Sequence, residues 1–394
     1  MTVETMNTTS LRDRLEPYIA IIGPLVMIVA VLVYMGVIAP LFGSDHALRY
    51  FRASNFNLIL LDAALYLPMA MAMTFVITQR GIDLSIGSIA ALSSICMAFL
   101  IKQYGYSVYV AIPIALMLGA LMGLVNGLII TRLKVPDLIG TLAMDLVYRG
   151  LALVIAKGLV LSRFPDLLKE IGRGQIKIYE GPHPRTGEDW IVNIPIPVII
   201  GIATMLIGWF LLRKTYFGRY TIAIGSSPES AEMTGISVNR QKIYAYVLCG
   251  FCAALAGIML TGKLNAIQAT SAPYFNLHVI AAVVVGGTSL FGGRASIIGS
   301  FAGVLLLAMM INALVTLRIE FFWQSVASGV VIVSAVALYT WMQQKDRDGM
   351  GGFLSGLQTP DAKKLLRFSV AIIGVLSALL AIGAILAVDP TPTG

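Results

Sequence analysis

Arg80, Asp83 and Ser85 stand close together in Gln79-Arg80-Gly81-Ile82-Asp83-Leu84-Ser85-Ile86-Gly87-Ser88, with an apolar run on either side. A cation, a carboxylate and a hydroxyl gathered at the edge of apolar sequence can line a polar pathway through a hydrophobic medium. Asp83 or Ser85 can equally cap a helix that begins near Ile86, and a cap does not exclude a functional role. Asn126 is a second polar residue in an apolar setting. Beside it Gly119, Gly123 and Gly127 recur every four positions, a pattern that lets two helix backbones approach closely in lipid. An amide there needs a hydrogen-bond partner, so packing and pathway readings are both open for it. Asp145 and Arg149 are spaced i, i+4, which lets them pair on one helix face and limit each other's desolvation cost.

Other patterns do not amount to chemistry. Residues 257–264 read Gly-Ile-Met-Leu-Thr-Gly-Lys-Leu, which fits the start of a phosphate loop until Leu264 replaces the hydroxyl residue that would reach Mg²⁺. That stretch also ends an apolar helix instead of following a strand, so the chain carries no nucleotide site of its own. Cys249 and Cys252 have a C-x-x-C spacing, but they sit in an apolar run with no second ligand pair, so no metal site is expected. His278 opens a short apolar segment, where an interfacial histidine is the default. No catalytic set assembles, and no cofactor is implied.

The elements that must position these residues are set by composition. Of 394 residues, 58% are hydrophobic and only 12% charged, with mean hydropathy +0.85. Soluble domains carry roughly 25% charged residues, and no soluble fold hides this much apolar surface. Apolar runs close to the length of a bilayer-crossing helix recur at 19–41, 58–78, 86–101, 108–131, 138–157, 195–213, 243–262, 277–289, 296–316, 322–342 and 366–388. The expected fold is all-α, a polytopic transmembrane bundle of about 10–11 spans. The first run is too long for a signal-peptide core and lacks a cleavage site, so it is expected to remain as an anchor. The net charge of +8 lies in short connectors, not on a stripe, which argues against a nucleic-acid partner.

Two spans, 86–101 and 277–289, are short and adjoin glycine-rich polar turns. One is the run from Gln79 to Ser88; the other is Gly286-Gly287-Thr288-Ser289-Leu290-Phe291-Gly292-Gly293-Arg294. Interrupted segments at corresponding places in two halves mark an internal repeat around a pathway, although its orientation does not follow from so few residues. The basic residues favour an inside N-terminal tail (1–18), an outside connector at 158–194 and an inside connector at 213–242. Within the latter, Pro228 starts a short helix, Glu229 and Glu232 follow, and Gly235 stands past its end. Such a helix is a rigid lever suited to docking on a partner. A charged linker, 343–365, leads to the last run at 366–388, whose far end is expected outside.

The run Gly81-Ile82-Asp83-Leu84-Ser85-Ile86-Gly87-Ser88 resembles the signature of sugar-type permeases of bacterial ABC importers, the ribose, xylose and arabinose group. Asn126-Gly127, Thr141-Leu142, Arg149-Gly150-Leu151-Ala152, the 218–238 connector and Ile280-Ala281-Ala282-Val283-Val284-Val285-Gly286-Gly287-Thr288-Ser289-Leu290 agree with the same family in the same order. The likeness covers roughly residues 59–339. It implies a permease domain at 19–342 in the bacterial inner membrane. Its partners would be a second permease copy or homologue, two cytoplasmic ATP-binding subunits and a periplasmic sugar-binding protein. Hydrolysis would occur in the ATP-binding subunits and not in this chain.

By the same resemblance, 225–236 is the coupling helix, with Glu229, Ala231, Glu232 and Gly235 facing the ATPase, and 158–194 helps to receive the binding protein. Arg80, Asp83, Ser85 and Asn126 are the expected pathway residues. The chain departs from the family where Glu232 replaces a common arginine and where Asn276-Leu277-His278 replaces Glu-Leu-Asp. It also departs in the run at 366–388, which the family's pattern lacks. A branched-chain amino-acid permease is the nearest alternative. A secondary transporter would need coupling groups within its spans, and Asp145 is the sole serious candidate.

Overall fold

The structure, a computed structural model, describes residues 23–41, 47–182 and 189–318, together with 326 and 329. The expected spans at 322–342 and 366–388, the linker at 343–365 and the tail at 1–18 lie outside those residues, 326 and 329 excepted. The first helix, α1 (Gly23–Leu41), is loosened at Tyr34–Ile38, where the Ala39 N–H reaches back to Tyr34 O. Pro40 has no N–H to give the turn before it, a local reason for the wider π register.

The remaining long helices are α2 (Ala53–Thr78), α4 (Val108–Arg132), α5 (Asp137–Ala156), α7 (Ile196–Lys214), α10 (Val238–Leu264) and α12 (Ile297–Thr316). With α1 they make seven helices, among the described residues, long and apolar enough to cross a membrane. The chain is thus an all-α polytopic bundle. Between them stand the short α3 (Ile86–Lys102) and α11 (Phe275–Val285). At 1.5 Å per residue α11 rises only about 16 Å and cannot span a ~30 Å core alone.

Burial sorts the helices into centre and rim. The most apolar stretches of α2, α12 and α10 are 83%, 72% and 67% buried, whereas those of α5 and α1 are 22% and 17% buried. The central helices are apolar on every face, the pattern of a helix enclosed by others, and the outer faces of the rim helices suit lipid. The glycines at 119, 123 and 127 on α4 lie against Gly250, Tyr246 and Ile243 of α10, backbone close to backbone. A Cβ on Gly123 would overlap Tyr246 O, so this contact is open to glycine alone. Gly257 and Gly262, the glycines of the failed phosphate loop, pack likewise against Ala90 and Leu168.

The connector at 158–194 is folded over its described residues. It contains α6 (Asp166–Arg173) and an antiparallel hairpin, β2 (Gln175–Pro182) with β3 (Asp189–Pro195), whose register shifts between Lys177 and Tyr179. The preceding β1 (Leu161–Ser162) pairs with β4 (Ala266–Ile267), just beyond the end of α10. Gly172 of α6 rests directly on the backbone of Gly262 and Lys263, and Lys263 pairs with Asp62 of α2. At the opposite end of the bundle the 213–242 connector forms two helices, α8 (Tyr216–Ser226) and α9 (Pro228–Met233).

Candidate functional site

The polar turn at 79–85 exists because α2 ends in a polar Gln-Arg-Gly run. Arg80 takes a left-handed conformation (φ 62°), which turns the chain back before α3 starts. Within the turn Asp83 Oδ1 accepts from the Ser85 backbone N–H at 2.9 Å and from Ser85 Oγ at 2.7 Å. This side chain-to-backbone bond shapes the turn ahead of α3, but no side chain bonds the first N–H groups of the helix, so neither Asp83 nor Ser85 caps it. Ser85 Oγ in turn accepts from Asn126 Nδ2 at 2.7 Å, and Asn126 Oδ1 accepts from the Tyr148 hydroxyl at 3.1 Å. Asp83, Ser85 and Asn126 are therefore one chain of hydrogen bonds, joining the turn to α4 and α5. All four side chains are buried, and Asp83 Oδ2 has no hydrogen-bond partner among the described residues.

The backbone of the turn is held as tightly. Leu84 N–H donates to Thr141 Oγ1 at 3.1 Å. Asp137, in the first turn of α5, accepts from Tyr246 OH at 3.0 Å and faces Lys242 Nζ at 3.4 Å. A Cβ on Gly81 would stand 2.7 Å from Asp137 Oδ2 and 2.9 Å from Tyr246 OH, so any larger residue there would have to displace those two side chains. Asn276, at the head of α11, donates to Leu84 O at 3.0 Å and links the turn to the second interrupted segment.

Arg149 makes a related link. Its Nη1 donates to Ala269 O and Ser271 O, both at 2.9 Å, in the loop before α11. The expected partner, Asp145, stands 3.9 Å from Nη2, so the intrahelical pair is present but secondary to these carbonyls. His278 meets the Tyr66 ring edge-on at 5.9 Å, and Tyr66 also packs on Phe275 at 4.8 Å.

Arg80 does not join Asp83. Its side chain points away to the last carbonyls of α8, with Nε donating to Gly225 O at 2.8 Å and Nη2 to Ser226 O at 2.7 Å. Of the four expected pathway residues, Asp83, Ser85 and Asn126 come together, while Arg80 faces the connector. The reason is that a helix end leaves carbonyls without intrahelical donors, and a guanidinium fork fits two of them.

Next to that contact lies α9. Ser227 accepts from the Ser230 N–H at its start, and Gly235 (φ 84°) closes it. There Ile236 N–H bonds Ala231 O at 3.1 Å and Gly235 N–H bonds Glu232 O at 2.9 Å, the paired bonds of a glycine-terminated helix. Ala231 is buried with Ile224 and Val238 against Ile236, so it holds the helix in place and does not present a surface. Glu229 and Glu232 are exposed, and Met233 is 90% exposed. The side chains that sequence reasoning missed are Tyr148, Asp137 and Tyr246, and Asn276 was noted only as a departure from the family pattern. All but Tyr246 lie at or beside helix starts or polar residues, but their partners are distant in sequence.

A helical bundle with two interrupted helices, one polar knot between them and a capped helix at one end is the form of a membrane permease. Residues 55–336 match the family described as the branched-chain amino acid transport system / permease component, and the chain belongs to that family. It is a multi-pass protein of the bacterial inner membrane. The ribose import permease protein RbsC of Bacillus subtilis (strain 168) is 36% identical over 338 residues, 86% of this chain and 98% of the relative. The fructose import permease protein FrcC of Rhizobium meliloti is 32% identical over 323 residues, 82% and 85% of the two chains. The autoinducer 2 import system permease protein LsrC of Photorhabdus laumondii is 30% identical over 309 residues, 78% and 86%. No solved structure matches significantly.

Proposed function

We propose that this chain is the membrane-spanning subunit of an ATP-driven importer and passes a monosaccharide or polyol across the inner membrane. One observation carries the reading: a capped helix, α9, packed on the end of α8 and the start of α10 through Ile224, Ala231 and Val238, in a chain whose relatives are import permeases for ribose, fructose and autoinducer 2. A partner ATPase engages α9 through Glu229, Glu232 and Met233, while Ala231 and Gly235 fix its pose. A binding protein delivers substrate at the opposite end, where α6 and the hairpin stand. A second copy or a homologue completes the pathway, and the N-terminus lies on the ATPase side.

Asp83, Ser85 and Asn126 border that pathway by fixing the start of α3. Alternating access then requires the interrupted helices to move as units, which the knot of hydrogen bonds permits.

Deleting the gene tests the substrate class. Accumulation of one labelled monosaccharide or polyol is expected to vanish and to return with the wild-type gene, while leucine, isoleucine and valine uptake stays unchanged. The family description favours a second reading, a branched-chain amino-acid permease. Loss of leucine uptake with sugars unaffected would establish it and end the first.

A further inference from the structure

Three backbones meet at the connector end of the bundle with almost no side chain between them. They are the end of α2 and its turn (Thr78–Arg80), the end of α8 (Gly225–Ser226) and the turn between α11 and α12 (Gly292–Gly293). Gly293 N–H donates to Thr78 O at 3.0 Å. A Cβ on Gly225 would overlap Thr78 O and Gly293 N. Gly292 has φ 83°, and a Cβ there would stand 2.5 Å from Arg80 Cγ, 2.7 Å from Gly225 O and 3.0 Å from Thr78 O. Thr74 and Ser300 join the same two helices a turn deeper, Oγ1 to Oγ at 2.8 Å.

Arg80 reaches across this contact to the end of α8, and Gln79 beside it donates from Nε2 to Thr221 Oγ1, a turn further back in α8, at 3.0 Å. Arg80 holds a left-handed backbone that L-residues seldom adopt. Its guanidinium grips the carbonyl end of α8, where the helix dipole is negative. Only Ser227 separates that end from α9. A displacement of α9 therefore pulls on Gly225 and Ser226, and through Arg80 and Gly293 on both interrupted turns at once.

We propose that Arg80, with Gly225, Gly292 and Gly293, is the joint that transmits movement of α9 to the two interrupted helices. Arg80 is a positioning residue in this joint and touches no substrate. The inference rests on the reading of the chain as an ATP-driven permease. Its content is that one fork of hydrogen bonds determines how strongly hydrolysis and substrate passage are linked.

The test uses the assembled importer in proteoliposomes, with its ATPase and binding protein. The readout is the ratio of substrate-stimulated to basal ATP hydrolysis, measured beside uptake. If the wild-type complex shows no ATP-dependent uptake, the permease reading itself fails, independently of the joint. Given a working wild type, Arg80→Ala is expected to lower the ratio about tenfold, a typical coupling effect. Arg80→Lys, which keeps the charge but not the fork, is expected to fall between. Gly225→Ala, which wedges the contact without touching the guanidinium, is expected to lower the ratio as well.

A ratio unchanged in Arg80→Ala, with or without a proportional drop in total activity, overturns the proposal. Should Arg80→Ala not assemble, Arg80→Lys decides: a lowered ratio supports the joint and an unchanged one overturns it.

Discussion

Ser85 donates to Asp83 and accepts from Asn126 through a single hydroxyl, so the polar knot depends on both directions of that one group. Replacing Asn126 with leucine removes the donor to Ser85 Oγ in a buried site, while the Tyr148 hydroxyl keeps Met122 O at 2.9 Å. A cost of about 1–3 kcal/mol is expected, read as a lower melting temperature in detergent. Ser85→Ala is expected to cost a similar amount, and the double variant less than the sum, because both remove one network. Polar residues inside apolar runs were legible as partners in need of partners, which is why Asp83, Ser85 and Asn126 stood out in the sequence. Tyr148 did not, because a tyrosine in a membrane helix has an apolar body and gives no sign of where its hydroxyl points. The destination of Arg80 was equally hidden: its carbonyl partners lie about 145 residues onward, and backbone acceptors carry no mark in the sequence.

The short helices belong to a different scale. Their lengths were readable from hydropathy, and α3 and α11 fall within a few residues of the expected spans. Helix α9 was readable too, because proline at its start and glycine past its end are both dictated by backbone geometry. The strands β2 and β3 were not. They lie in a polar stretch rich in proline and glycine, where alternation is short and pairing is set by the partner strand. Gly235→Pro gives a direct check on α9, since proline cannot adopt φ 84° and removes the N–H that bonds Glu232 O. Copurification of the ATPase with bound α9 altered in this way, and loss of substrate-stimulated hydrolysis, are the expected results. Persistence of full stimulation would mean that the closed end of α9 has no part in coupling.

In the whole molecule, the close contact of α4 with α10 fixes where α5 and the polar knot can sit. Gly123→Leu forces side-chain volume into a contact in which even a Cβ overlaps Tyr246 O. A destabilisation of at least about 1–3 kcal/mol is expected, with loss of the folded complex from detergent extracts as the check. Gly150, which has open space around it, is expected to accept alanine with no measurable change. The glycine spacing announced this packing, while the partner helix could be learned only from the fold.

The proposed division of the molecule into a docking end, an interrupted middle and a receiving end has one direct test. Labelled sugar uptake should be followed in proteoliposomes that hold this chain, its ATPase and its binding protein. Accumulation that requires internal or external ATP on the α9 side, and that ignores an imposed proton gradient, is the expected result. Accumulation driven by the gradient without ATP would contradict it.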